Sequence, residues 1–334
     1  MSEIFVGVDI GGTKAATLVV DRTGRALGSS TVSSRGDGRT DESIVDALWQ
    51  GADQAVRDAG VPWSRVAAVG LGAPGSVDPE SGLWWGSTNL ILNSPPYPLA
   101  EEIARRSGRP AFVENDVKAA ALGESRFGRG REIAQDLGGL LFISVGTGLA
   151  ACLVVDGEVF RGRRDAGEIG HIPLHPGGHP CACGQQGCLE TVASGRALVR
   201  WGRWTMEAKW RSKFRDFAGG DPARLDGGMI MQAAIEGDPV AESLVERLAD
   251  GIALSVLTAF RAYDPAAVVL GGGVVAGGGE YLFGKVKASL ARQSPRYMRG
   301  KVVETTSLGA RAGALGAAAV AISAWTKAGH RAEV

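Results

Sequence analysis

Ile4-Phe5-Val6-Gly7-Val8-Asp9-Ile10-Gly11-Gly12-Thr13-Lys14 is an apolar run that ends in an acid, two glycines and two side chains able to donate to an anion. Two further apolar runs follow at once, Ala15 to Asp21 and Ala26 to Ser33, parted by Gly11-Gly12-Thr13 and Arg22-Thr23-Gly24. Three strands in an antiparallel meander are expected. Leu140 to Val145, Gly146-Thr147-Gly148 and Leu149 to Val155 repeat the strand, glycine turn, strand pattern, which points to duplicated halves.

Between the two openings, Ile44, Val45, Leu48, Ala52 and Val56 recur at helical spacing, and Gly60 follows as a stop. Val66 to Leu71 reads as a buried strand running into Gly72-Ala73-Pro74-Gly75, and Leu99 to Arg106 as a helix. Pro110 to Val113 is a strand ending in Glu114-Asn115-Asp116. After the second opening come a long helix around Leu244 to Phe260, the strand Ala267 to Leu270 with Gly271-Gly272-Gly273, and a closing helix from Arg311 to Trp325. This succession makes an α/β fold with a mixed sheet. Arg200 to Asp226 shows no clear period and reads as a helical insertion or a loop.

The composition narrows the functional classes. There are 36 basic and 36 acidic side chains, and only 22% of the 334 residues are charged, so nucleic acid is not the expected partner. The uncharged stretches Pro265 to Gly279 and Ala312 to Thr326 fall short of the roughly 20 apolar residues of a membrane span. The N-terminal run lacks a basic signal region, so a cytoplasmic protein without a membrane partner is expected. The 50 glycines are about twice the average usage of roughly 7%, and they cluster at strand ends where backbone must approach a ligand closely.

Several clusters carry chemistry. In Asp9-Ile10-Gly11-Gly12-Thr13-Lys14, glycine N–H groups with Thr13 and Lys14 can face phosphate oxygens, and Asp9 beside them is useful if a cation such as Mg²⁺ intervenes; the alternative is an ordinary hairpin turn. Gly146-Thr147-Gly148 repeats the device, and Gly271-Gly272-Gly273 adds a third glycine turn, which together favour a nucleotide site. Asp116, at the end of a strand, can accept a proton from a substrate hydroxyl that Asn115 orients, or it can simply cap the helix that begins at Val117. Of four cysteines, Cys181, Cys183 and Cys188 lie close together behind His171, and three thiolates with one imidazole complete a structural zinc site. Spacing does not choose among His171, His175 and His179 as the fourth ligand. Cys152, alone in a strand, is expected to be a core residue.

In this order the motifs resemble the ROK family of sugar kinases, within the actin-like ATPase superfamily. The likeness rests on the Asp9 to Lys14 run, Gly72-x-Pro74-Gly75-x-Val77-Asp78, Glu114-Asn115-Asp116, Gly146-Thr147-Gly148, Gly167-Glu168-Ile169-Gly170-His171, the run from Cys181 to Glu190, and Leu270 to Val274. It covers nearly the whole chain. The resemblance implies two ribonuclease-H-like domains with an interdomain cleft, the smaller from residues 1–118 completed by 311–334 and the larger from 119–310. It implies an ATP-dependent hexose kinase acting on the 6-OH of glucose or a close relative, with Asp116 as catalytic base. Gly75, Asn89, Asn115, Glu168, His171 and Glu190 would contact the sugar, and His171 would hold zinc with Cys181, Cys183 and Cys188 while facing the sugar with its other ring nitrogen. Asp9, Gly11, Gly12, Thr13, Lys14, Gly146, Thr147 and Gly148 would hold ATP phosphates and Mg²⁺, and Gly271, Gly272 and Gly273 would lie near the adenosine.

Three departures from the family pattern stand out. Leu149-Ala150-Ala151-Cys152 replaces further glycines, Asn89-Leu90-Ile91-Leu92-Asn93 replaces Asn-Leu-Pro-Gly-Trp, and Lys118 replaces Asn. The second of these keeps an amino or N-acetyl hexose such as N-acetylmannosamine or N-acetylglucosamine, fructose, or a cyclitol open as acceptor. Repressor relatives carry a DNA-binding motif ahead of the first phosphate run, and here that run starts at Asp9, so an enzyme is expected ahead of a repressor or a non-catalytic sugar sensor. A homodimer or homotetramer is the assembly the resemblance implies.

Overall fold

Apolar residues on both sides of the backbone bury β1 (Ile4–Ile10) almost completely, as a central strand requires. The structure, a computed structural model, describes residues 3–35, 40–87, 90–133, 139–294 and 296–329. Around β1 the first unit builds β2 (Lys14–Asp21), β3 (Ala26–Ser33), α1 (Asp41–Asp58), β4 (Val66–Ala73), β5 (Val77–Asp78), β6 (Leu83–Trp84), α2 (Leu99–Ser107), β7 (Ala111–Asn115), α3 (Asp116–Phe127) and α4 (Gly130–Ile133). Its sheet runs β3-β2-β1-β4-β7; β1 to β3 form the expected antiparallel meander, and β4 and β7 add in parallel.

The second sheet opens with β8 (Leu140–Val145) and β9 (Leu149–Val155), and continues with β10 (Glu158–Val159). Then come α5 (Gly195–Glu207), α6 (Lys213–Phe217), α7 (Gly227–Ile235), α8 (Pro239–Tyr263), β11 (Ala267–Gly271), α9 (Gly273–Gln293), β12 (Val302–Thr305) and α10 (Ala312–Lys327). Its order, β10-β9-β8-β11-β12, reproduces that of the first sheet strand for strand, with β11 parallel to both β8 and β12. The duplication expected from the two openings is therefore present in the topology.

Two compact units result: residues 1–135 with 154–159 and 307–334, and residues 136–153 with 160–306. The boundary at 118 expected from the sequence would cut α3 at its first turn. That helix stays whole in the first unit because it packs along α10, where a Cβ on Gly316 would overlap the carbonyl of Ala119. The alanine-rich α10 also lies directly on the sheet: side chains at Gly7 or Gly70 would overlap the α10 carbonyls of Ala314 and Ala317. Ile322 on α10 is fully buried, which contributes roughly 1.5–3 kcal/mol. No helix among the described residues is long and apolar enough to cross a membrane.

Candidate active site

In the first unit the parallel strands bring their C-terminal ends to one edge, where open α/β sheets place ligands. Register sets Asp9 beside Gly72, Gly72 beside Glu114, and Ala73 beside Asn115. The turn after β1 is closed by Gly11 N–H donating to the Lys14 carbonyl at 2.9 Å, which leaves Thr13 and Lys14 exposed. Asp9 lies under the first turn of α10, so close that a side chain on Gly313 would overlap its carboxylate. Among the described residues no cation pairs with Asp9, and desolvation lifts its carboxyl pKa from 3.8 to about 6. A desolvated, half-buried carboxylate with no counter-charge among the described residues fits a place for a cation.

The backbone turns sharply at the end of β7, and Asn115 becomes the N-cap of α3. Its Oδ1 accepts from the N–H groups of Val117 and Lys118 at 3.1 and 3.2 Å, and its Nδ2 donates to the Gly75 carbonyl at 3.1 Å. Gly75, at φ +82° and pressed onto the Gly86 carbonyl, has no room for a side chain. Asp116 is thus the first helical residue, half-buried, with Oδ1 accepting from Val117 N–H at 2.9 Å. Capping, the rival role for Asp116, is carried by its neighbour. Glu114 is buried, and its carboxylate accepts from the Asn115 N–H at 3.0 Å.

In the second unit the loop Gly146-Thr147-Gly148 is clamped onto α5: Gly195 N–H donates to the Gly146 carbonyl at 2.8 Å and Arg196 N–H to that of Thr147 at 3.3 Å. Glu190 braces the other side, accepting from Leu149 N–H at 3.0 Å and standing where a side chain on Gly148 would be. A cavity of about 770 Å³ opens beside this loop, reaching Gly273, Val274 and Gly277 at the start of α9 and Gly227 and Met231 on α7. Gly146, Thr147 and Gly273 therefore share one pocket. Gly271 and Gly272 do not line it; a Cβ on either would strike the Phe142 ring or the Val145 backbone.

His171, Cys181, Cys183 and Cys188 present their ligand atoms within 4.8 Å of one another. Cys181 Sγ lies 3.6 Å from His171 Nδ1, and Cys183 Sγ 3.6 Å from Cys188 Sγ. A tetrahedral ion with arms of about 2.3 Å to sulfur and 2.0 Å to nitrogen has edges of about 3.8 and 3.5 Å. The cluster therefore fits a metal ion, and it selects His171 from the three candidate histidines. His179 instead meets the edge of Trp204, with ring centroids 5.5 Å apart. His171 Nε2 is left facing Glu168 Oε2 at 3.9 Å. Cys152 is a buried cysteine on β9, as expected.

A ROK family model matches residues 5–324. This chain belongs to the ROK family. It is 32% identical to a glucokinase of Thermotoga maritima over 95% of its own length and 96% of the relative's, and 35% identical to a glucokinase of Streptomyces coelicolor over 95% and 97%. Among solved structures it resembles a ROK family glucokinase from Streptomyces griseus in complex with glucose and AMPPNP, with 36% identity, TM-score 0.81, and coverage of 96% and 99%.

In this ROK protein, Asn89 lies outside the described residues. The wall of the cavity formed by α5 is the part that sequence reasoning missed: Arg196, Arg200, Arg203 and Trp204 all line it. A signal for that helix existed, since Ser194 accepts from Ala197 N–H as an N-cap and the buried Leu198, Trp201 and Met206 follow at helical spacing.

Proposed function

We propose that the chain is an ATP-dependent hexose kinase whose acceptor is the 6-OH of glucose. The observation that carries this reading is the full-length likeness to a kinase structure with glucose and AMPPNP, in a chain that has Asp116 directly after β7 and the glycine turns after β1 and β8. The sugar O6 attacks the γ-phosphorus of ATP, a new O–P bond forms, the bond to the β,γ-bridging oxygen breaks, and ADP departs. Asp116 takes the proton from O6 as that bond forms. Asn115 holds Gly75 and the helix start in place for it. Mg²⁺, when bound, neutralises charge on the β- and γ-phosphates. In the first unit Asp9 would hold that ion beside the Gly11 to Lys14 turn; in the second, Gly146 to Gly148 would take phosphate oxygens with Gly273 beside the adenosine.

The Cys₃His cluster would hold a structural zinc. With Nδ1 toward that metal, His171 would keep its proton on Nε2 and could donate it to a sugar hydroxyl, whose own proton Glu168 would accept. Glu190 would add a further acceptor while bracing the phosphate loop. A kinase of free sugar and ATP is placed in the cytoplasm, and family resemblance points to a homodimer or homotetramer, which light scattering reads directly. The deciding experiment is a coupled ADP-release assay with glucose, mannose, galactose, fructose, N-acetylglucosamine and N-acetylmannosamine. Glucose should give the highest kcat/KM. No turnover with glucose, or equal turnover with all six, sinks the reading.

A further inference from the structure

Three arginines on one face of α5, Arg196, Arg200 and Arg203, line the 770 Å³ cavity, and Glu207 is the acid set against them there. They are not equivalent. Arg200 donates to the Thr191 carbonyl and lies over the Trp201 and Trp204 rings, and Arg203 donates to the Pro222 carbonyl at 3.0 Å. Both therefore have structural work. The exposed Arg196 side chain makes no hydrogen bond, ion pair or ring contact among the described residues. Its backbone is nevertheless locked, because its N–H donates to the carbonyl of Thr147 in the glycine loop, and the preceding Gly195 sits so close that a Cβ there would be 2.9 Å from the Gly146 carbonyl. A long cationic side chain is thus anchored at its root to the loop proposed to hold phosphate, with its head uncommitted.

We infer that Arg196 is a donor-binding residue, whose guanidinium takes an oxygen of the nucleotide's phosphate chain in the α5 cavity. This rests on the donor site proposed above and adds a residue to it. A guanidinium offers five donors in a planar fork that matches phosphate oxygens bidentately, which an ammonium does not. Like charges three and four residues apart on one helix face repel, so such a face favours an anion beside it. A contact of this kind acts on a ligand's phosphates and leaves adenosine itself untouched.

The test is calorimetric titration of ADP and of adenosine, with Mg²⁺ present, into wild type, Arg196→Gln and Arg196→Lys, together with KM values for ATP and glucose. Arg196→Gln should weaken ADP by about 10- to 100-fold, the scale of a lost charge-assisted hydrogen bond. Adenosine affinity, KM for glucose and melting temperature should stay as in wild type, with Arg196→Lys intermediate for ADP. ADP affinity unchanged in Arg196→Gln overturns the inference, as does equal weakening of ADP and adenosine. If wild type binds ADP but does not phosphorylate glucose, the kinase reading fails and the ADP comparison still decides the role of Arg196. If wild type binds no ADP, both fall.

Discussion

His171 Nε2 stands 3.9 Å from Glu168 Oε2. The other ring nitrogen faces Cys181 Sγ, so one imidazole joins the metal-type cluster to the polar pair proposed for the sugar. Metal loss should therefore be felt by the sugar before the nucleotide. Elemental analysis should find one zinc per chain. Cys181→Ser should lower zinc content and raise KM for glucose by about 10- to 100-fold, the usual cost of disturbing a site's supporting shell, with ADP affinity unchanged. Zinc-free protein with wild-type glucose KM would contradict this link.

Asp116→Asn isolates the proton acceptor. The N-cap of α3 is Asn115, so the substitution removes no cap. The amide cannot take the O6 proton at neutral pH. Loss of general-base catalysis is worth about 10² to 10⁴ in rate, and kcat should fall by that much while glucose KM moves little. Retention of more than about a tenth of the turnover would remove Asp116 from the role.

Sequence periodicity was strong where one element has one environment. The apolar run of β1 and the spaced residues of α1 were legible because β1 is buried on both faces and α1 on one stripe. The duplication of the two sheets was legible in the repeat of strand, glycine turn and strand. The Arg200 to Asp226 stretch was opaque for a physical reason: Arg200 lies over Trp201 and Trp204, and Arg247 over Trp201, so cations cover apolar rings and blur the pattern. The five-residue α6 is too short to show a period, and α7 begins with Gly227-Gly228, which reads as loop. That Asn115 caps α3, and not Asp116 as expected, was equally hidden, since both types cap well and the bend after β7 decides.

Asp9 should make the protein pH-sensitive. Its folded pKa is about 6, above the value of 3.8 expected when unfolded. Between those values the native state holds more of the proton than the unfolded state, so stability falls as pH rises through the interval. Above about pH 6 the whole penalty stands, and below about pH 4 it is absent; the difference converts to at most roughly 3 kcal/mol. Asp9→Asn should therefore be more stable than wild type at pH 8 and match it near pH 4, while losing ATP turnover. Denaturant titrations at several pH values read this directly, and a stability difference that does not change with pH would remove the buried carboxylate as its source.

Asn115 divides its amide between two tasks, and two substitutions separate them. Asn115→Ala removes the acceptor for Val117 and Lys118 N–H, which should cost about 0.5–2 kcal/mol of stability. Asn115→Asp keeps an acceptor of equal quality, and a negative charge at the start of α3 is favourable, so its stability should stay near wild type. It cannot donate to the Gly75 carbonyl, however, and sets a carboxylate oxygen where an N–H had been. Gly75 cannot absorb the repulsion locally, because its φ is +82° and Gly86 lies directly against it. The Gly72–Gly75 turn has to move as a whole, and if Gly75 contacts the sugar, KM for glucose should rise at least about tenfold, a lost charge-free hydrogen bond plus repulsion. A stable Asn115→Asp protein with unchanged glucose KM would detach Gly75 from the sugar site while leaving the cap intact.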